Sequence, residues 1–232
     1  MSDLPKLIRW KCCEDAADVA REATKRILAA SRSAIARRGR FKIVLAGGHT
    51  PEQAYRLLVD ADTDWSRWHI YFGDERCLPS DYPERNSTMV LSAWLEHVDV
   101  LKKNVHPIPG ERGAEAAAQA YRAVIKDARP FDMVLLGMGE DGHTASLFPG
   151  LIYNERELVH AVHEAPKPPP ERVTLSRASL SNARDVLVLI TGSNKKEAVQ
   201  RWRSGESLPV SSVYGLTGVD ILIDSAAAGS AC

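Results

Sequence analysis

Apolar residues recur in two distinct rhythms along this chain. Over residues 14–38, Val19, Ala23, Ile27, Ala30 and Ala34 fall at steps of three and four, which predicts one long amphipathic helix ended by Gly39. Elsewhere the apolar positions collect into short runs at 42–45, 68–72, 133–136, 185–191 and 219–223. Runs this short predict buried strands rather than membrane helices. Weaker patterns at 105–108, 158–163, 171–175 and 211–214 predict further strands, and helices are expected over 87–97, 113–128 and 197–203. The small-residue tail 225–232 is expected to fray. Strands alternating with helices, with no linker and no internal repeat, predict an α/β fold. It is expected to be a single domain over 1–232, with a doubly wound, mostly parallel sheet and helices on both faces.

The loops at the strand ends carry the candidate chemistry. The run Met133-Val134-Leu135-Leu136 leads into Gly137, Gly139 and Gly142, with Glu140, Asp141, His143 and Thr144 among them and Pro149-Gly150 at the close. Parallel α/β sheets bind ligands at the carboxyl ends of their strands. His143 can move a proton near neutral pH, and Asp141 beside it can orient or charge-stabilise the imidazole. The same glycines also spell the dinucleotide pattern G-x-G-x-x-G, with Glu164 near the position of a ribose-binding acid. That motif needs a long helix directly after its third glycine, and Pro149 arrives too soon. A purely structural turn accounts for the glycines but not for the Asp-Gly-His-Thr cluster.

The strand at 42–45 leads into Ala46-Gly47-Gly48-His49-Thr50-Pro51. Thr50 suits an N-cap, Pro51 the first helical position, and Gln53 completes a capping box. Gly47 and Gly48 would then lie at a helix N-terminus, where bare N–H groups and the helix dipole favour a phosphate; the alternative is a plain strand–turn–helix connection. The His49 side chain can face ligand or solvent. After 68–72 comes Gly73-Asp74-Glu75-Arg76, which serves catalysis or a structural ion-pair cluster equally well. The proline-rich stretch 165–170 is a stiff surface connection. Lys167 and Arg172 flank it, and Lys195 follows the strand at 185–191; each can contact an anion or simply be solvated.

Composition narrows the partners. Lys plus Arg and Asp plus Glu number 30 each, so no net field favours nucleic acid or an anionic membrane. The 44% hydrophobic and 26% charged residues are those of a soluble globular protein. With no apolar leader and no run of membrane-spanning length, a cytoplasmic location is expected. The four cysteines (Cys12, Cys13, Cys77, Cys232) lack metal-type spacing and are expected to be free thiols.

Four ordered blocks resemble the 6-phosphogluconolactonase family, the sugar-lactone hydrolases of the oxidative pentose phosphate pathway. Gly47-Gly48-His49-Thr50-Pro51 is similar to the family's S-G-G-S-T-P phosphate loop, and Gly73-Asp74-Glu75-Arg76, with Pro79 and Asn86 downstream, to its D-E-R block. Residues 137–149 match G-x-G-x-D-G-H-T-A-S-L-F-P throughout. Lys167-Pro168-Pro169, Arg172-Val173-Thr174-Leu175, Ile190-Thr191-Gly192 and Lys195 resemble the closing basic blocks. The resemblance covers nearly all of the chain. It implies His143 as general base, Asp141 steadying it, Arg76 on substrate or oxyanion, and Asp74 orienting nearby groups. It also implies that Gly47, Gly48, His49, Thr50, Arg172 and Lys195 hold the 6-phosphate, with no metal or organic cofactor. The expected partner is a small sugar-phosphate lactone, and the protein a monomer or small homo-oligomer.

The family's usual serines are Ala46 and His49 here, and Arg85 stands where a serine is common. Glucosamine-6-phosphate deaminase is the nearest rival, but its D-G-H is followed by an N-E-P segment whose glutamate assists ring opening. Here the run is Ser146-Leu147-Phe148-Pro149, with no carboxylate. A non-catalytic sugar-phosphate sensor is the rival from another class.

Overall fold

A computed structural model of the chain describes residues 7–229. In chain order the elements are β1 (Ile8–Cys13), α1 (Ala16–Arg38), β2 (Phe41–Leu45), α2 (His49–Leu58), β3 (Trp68–Phe72), β4 (Asp74–Arg76), α3 (Asn86–Ala93) and β5 (Val105–His106). There follow α4 (Ala114–Ala128), β6 (Phe131–Gly137), β7 (Val159–Val162), β8 (Arg172–Leu175), α5 (Arg177–Ser181) and β9 (Ala183–Ile190). The last three are α6 (Lys196–Arg203), β10 (Val219–Asp224) and α7 (Ser225–Ala228).

The long periodic stripe forms α1, capped by Asp15, whose side chain accepts from the Asp18 amide, and stopped by Gly39 at φ 71°. Its buried stripe includes Val19, Ala23, Ile27 and Ala34. Burying a side chain such as Ile27 contributes about 1.5–3 kcal/mol relative to leaving it in water. The short apolar runs become the inner strands. In β6 every residue from Phe131 to Leu136 is buried, because helices cover both faces of a parallel sheet.

Seven strands pair in the order β1-β10-β9-β6-β2-β3-β5, every pair parallel. The chain steps outward from β2 through β3 to β5, then α4 returns it to β6 on the other side of β2. From there it moves through β9 and β10 toward β1, so β2 and β6 are neighbours whose following connections diverge. A crevice opens at such a reversal, above the carboxyl ends of the strands. Two buried tyrosines pin the strand ends around it. Tyr55 of α2 accepts from the Ala46 amide (3.0 Å) and donates to the Ala46 carbonyl (2.9 Å), and Tyr121 of α4 accepts from the Phe72 amide (2.9 Å).

Several expectations change. The doubly wound sheet is present, but a second, three-stranded antiparallel sheet, β4-β8-β7, lies beside it. Residues 74–76, expected as a loop, are its first strand, with Asp74 opposite Thr174 and Arg76 opposite Arg172. Gly73 makes the transfer: its amide bonds to Leu45 of the main sheet, and its carbonyl accepts from Leu175 of the second. The edge strand β1 precedes the first strand expected from the sequence; its mixed burial leaves no continuous apolar run. Residues 210–212 form a 3₁₀ turn, not a strand. Asp224 caps α7 through the Ala227 amide, so much of the tail is ordered, and residues 230–232 lie outside the described residues. Cys13 and Cys77 are free thiols, but Cys12 is disulfide-bonded. Strand alternation explains the difference within the vicinal pair, because Cys13 points into the core and Cys12 outward. Cys232 lies outside the described residues.

Candidate active site

Loops after β2, β3, β6 and β9, together with the second sheet, enclose a cavity of about 500 Å³ over the crevice. Its lining includes Gly47, Gly48, His49, Thr50, Asp74, Arg76, His143, Arg172 and Lys195. Asp141 is the one candidate behind the wall, in contact with His143.

The loop after β6 is built to hold His143. No helix follows Gly142; the chain turns back through the Gly139 amide to the His143 carbonyl (2.9 Å) and a bridge between Thr144 and Leu147. The dinucleotide reading fails for that reason. Asp141 Oδ1 accepts the His143 amide at 3.1 Å and lies 2.5 Å from His143 Nδ1. An ionised carboxylate only accepts, so Nδ1 carries the proton and Nε2 is left as the basic nitrogen. A Cβ at Gly139 would stand 2.1 Å from Nδ1, which is why the imidazole can lie against this backbone only when the residue is glycine. Phe148 packs on the ring at 4.6 Å between centroids.

Burial lowers the His143 pKa below its ordinary value, and the Asp141 charge and hydrogen bond only partly offset this. For Asp141, burial pushes upward, but the His143 amide and imidazole hold its carboxyl below the usual range. The pair is therefore a neutral imidazole beside a carboxylate near neutral pH.

On another part of the cavity wall, Gly48 (φ 101°) caps α2, and the helix begins at His49. Thr50 lies within the first turn rather than at the cap. Its hydroxyl pairs with Thr191 at 2.6 Å, tying the end of β9 to α2 across the end of β6. The expected capping box is also absent, since Gln53 bonds the His49 ring instead at 2.8 Å. The His49 side chain is 81% exposed. Lys195 and Lys167 both pair with Glu140, which holds the Glu140 carboxyl down at about 2, chiefly through the hydrogen bond from Lys167.

Arg76 and Arg172 form a third group. They are cross-strand partners, and Arg172 donates to the carbonyls of Lys167, Pro168 and Pro169. Arg76 donates to the Glu84 carbonyl, while its Nε is buried without a hydrogen-bond partner. Arg76 also lines the cavity, where its positive charge can meet an oxygen of a ligand. Asp74 is buried and accepts from Ser146 Oγ (2.6 Å) and Asn86 Nδ2 (3.0 Å).

Residues 14–220 match the family of glucosamine-6-phosphate isomerases/6-phosphogluconolactonase. The chain belongs to this family. It is 39% identical to the 6-phosphogluconolactonase of Mycobacterium leprae, over 89% of this chain and 91% of that one. The crystal structure of 6-phosphogluconolactonase from Thermotoga maritima superposes with a TM-score of 0.88 at 27% identity, over 94% of this chain and 100% of the other. A monomeric glucosamine-6-phosphate deaminase shares the fold, with a TM-score of 0.82 at 23% identity over 95% and 98% of the two chains.

Arg85, which departs from the pattern that the resemblance implies, has a structural role. Arg85 is buried, 3.4 Å from the fully buried Glu75, 2.9 Å from Glu111, and bonded to the Ile108 carbonyl at 2.7 Å. Glu75 in turn accepts the Asn86 and Ser87 amides at 2.7 and 2.9 Å, so it anchors the start of α3. The glutamate of the Asp-Glu-Arg block is thus a helix anchor, whereas Asp74 and Arg76 face the cavity. Asn86, Ser146 and Thr191 gain places around the site that sequence reasoning had not given them. Each is a small polar residue inside or beside a recognised block, and only the fold reveals its partner.

Proposed function

We propose that this protein hydrolyses 6-phospho-D-glucono-1,5-lactone to 6-phosphogluconate, with His143 as general base. The observation that carries the reading is the arrangement of His143: Nδ1 is held by Asp141, and the ring lies at the wall of a cavity also lined by the start of α2 and Lys195. The α2 N-terminus at Gly47, Gly48 and Thr50, with Lys195, takes the phosphate, and Arg172 adds positive charge beside them. Fixing the phosphate places the lactone carbonyl near His143 and converts the attack into an oriented, effectively intramolecular step.

In the reaction, His143 Nε2 takes a proton from water as the water oxygen bonds to C1. The carbonyl oxygen gains the charge, and the guanidinium of Arg76, which lines the cavity, is the group that stabilises it. As the tetrahedral species collapses, the bond from C1 to the ring oxygen breaks. The imidazolium returns its proton to that oxygen, which becomes the 5-hydroxyl, and the new carboxylic acid ionises in solution. Asp141 keeps the imidazole oriented and stabilises its charged form, and Asp74 orients groups on the other wall. The test is to form the lactone in place and measure its loss. Acceleration over spontaneous hydrolysis supports the reading; no acceleration, with folded protein, refutes it.

A further inference from the structure

Asn86 lines the cavity although its residue is 4% exposed, and its amide is fixed in one orientation. Nδ2 donates to both the backbone carbonyl and the carboxylate of Asp74, each at 3.0 Å. Only an NH₂ group can serve two acceptors, so the other atom is the carbonyl oxygen. That Oδ1 accepts no hydrogen bond among the described residues. It lies against the phosphate-loop backbone, where a Cβ at Gly47 would stand 2.0 Å from it. The main chain is equally fixed, because Glu75 accepts the Asn86 amide, and Ser146 holds the Asp74 carboxylate from its far side.

Together, Asn86 Oδ1 and the Asp74 carboxylate make an acceptor-only corner between the anion site and Arg76. Such a corner repels phosphate and carboxylate but matches a hydroxyl, which donates. We propose that Asn86 is a specificity-determining residue whose side-chain carbonyl accepts a hydrogen bond from a ring hydroxyl of the substrate. This rests on the lactonase reading above and extends it to the sugar ring. A site built to bond a substrate hydroxyl rejects the analogue that lacks it, because a buried polar group is then left unpaired.

The experiment compares the 6-phosphorylated 1,5-lactone with its 2-, 3- and 4-deoxy analogues, using wild type, Asn86→Ala and Ser146→Ala. Wild type should lose about a hundredfold or more in kcat/KM on one analogue. Asn86→Ala should lose a similar factor on the parent lactone but little further on that analogue, so the discrimination collapses. Ser146→Ala, which disturbs Asp74 without removing the Asn86 carbonyl, should lower parent and analogues by a common factor. A common factor for Asn86→Ala as well, or equal wild-type rates on all analogues, overturns the proposal and leaves the lactonase reading standing. Failure of wild type to hydrolyse the parent removes both. Asn86→Ser repeats the comparison if the alanine variant does not fold.

Discussion

His143 Nδ1 lies 2.5 Å from Asp141 Oδ1, and the same oxygen accepts the His143 amide. One carboxylate oxygen thus fixes both the ring and the backbone of the residue two positions ahead. The tautomer is set by this contact, and with it the nitrogen that can act as base. Asp141→Asn keeps the shape but allows the amide to donate, which favours the wrong tautomer. By analogy with catalytic triads, kcat should fall by roughly 10³–10⁴ with little change in KM. Steady-state kinetics on the phosphorylated lactone measures this, and a change confined to KM would contradict it.

The pH dependence is governed by the shift at His143. Burial lowers its pKa below the ordinary value of about 6.5. The neutral, basic form therefore persists further into acid, and activity is lost only as pH falls through the lowered pKa. The acid limb of kcat/KM should have its midpoint below about 6.5. Asp141 opposes the lowering, so its removal should move the residual limb to still lower pH. A midpoint above the ordinary value would contradict the burial account.

Gly139→Ala tests the packing of the base. Its Cβ would meet His143 Nδ1 at 2.1 Å and Asp141 Oδ1 at 2.7 Å, so the pair cannot remain where it is. Activity should drop by at least about 10², the scale of a misplacement of about 1 Å in a catalytic group. Circular dichroism should still report the folded protein. Full activity would show that the imidazole does not use this position in turnover.

Arg85→Ala should destabilise the fold. It leaves Glu75, which has no exposure, without its cation, and removing one partner of a buried ion pair costs about 3–5 kcal/mol. Urea unfolding at neutral pH measures the loss. A change under about 1 kcal/mol would mean that the Asn86 and Ser87 amides suffice for the glutamate.

Much of this was legible in the chain itself. The MVLL and DVLVLI runs became neighbouring central strands, and the 14–38 periodicity became α1, because buried elements carry uninterrupted apolar signals. His143, Asp141 and the Gly47–Gly48 turn stood out because reactive residues beside glycines have few structural uses. The second sheet was not legible: β4 has three residues, all charged, and pairs with β8 almost a hundred positions later. No local pattern encodes such a pairing. Thr50 illustrates the same limit, since its spacing fits a cap while its hydroxyl goes to Thr191. Asn86 stood beside a recognised block, yet its orientation is set by Asp74, and its cavity face by Gly47.

The most direct test of the central claim sets wild type beside His143→Ala on the lactone formed in place, with phosphosugar binding measured on both. The account predicts acceleration by wild type that falls to near the spontaneous rate in the variant, while binding is retained. Equal acceleration by the two proteins would contradict it and remove His143 from the chemistry.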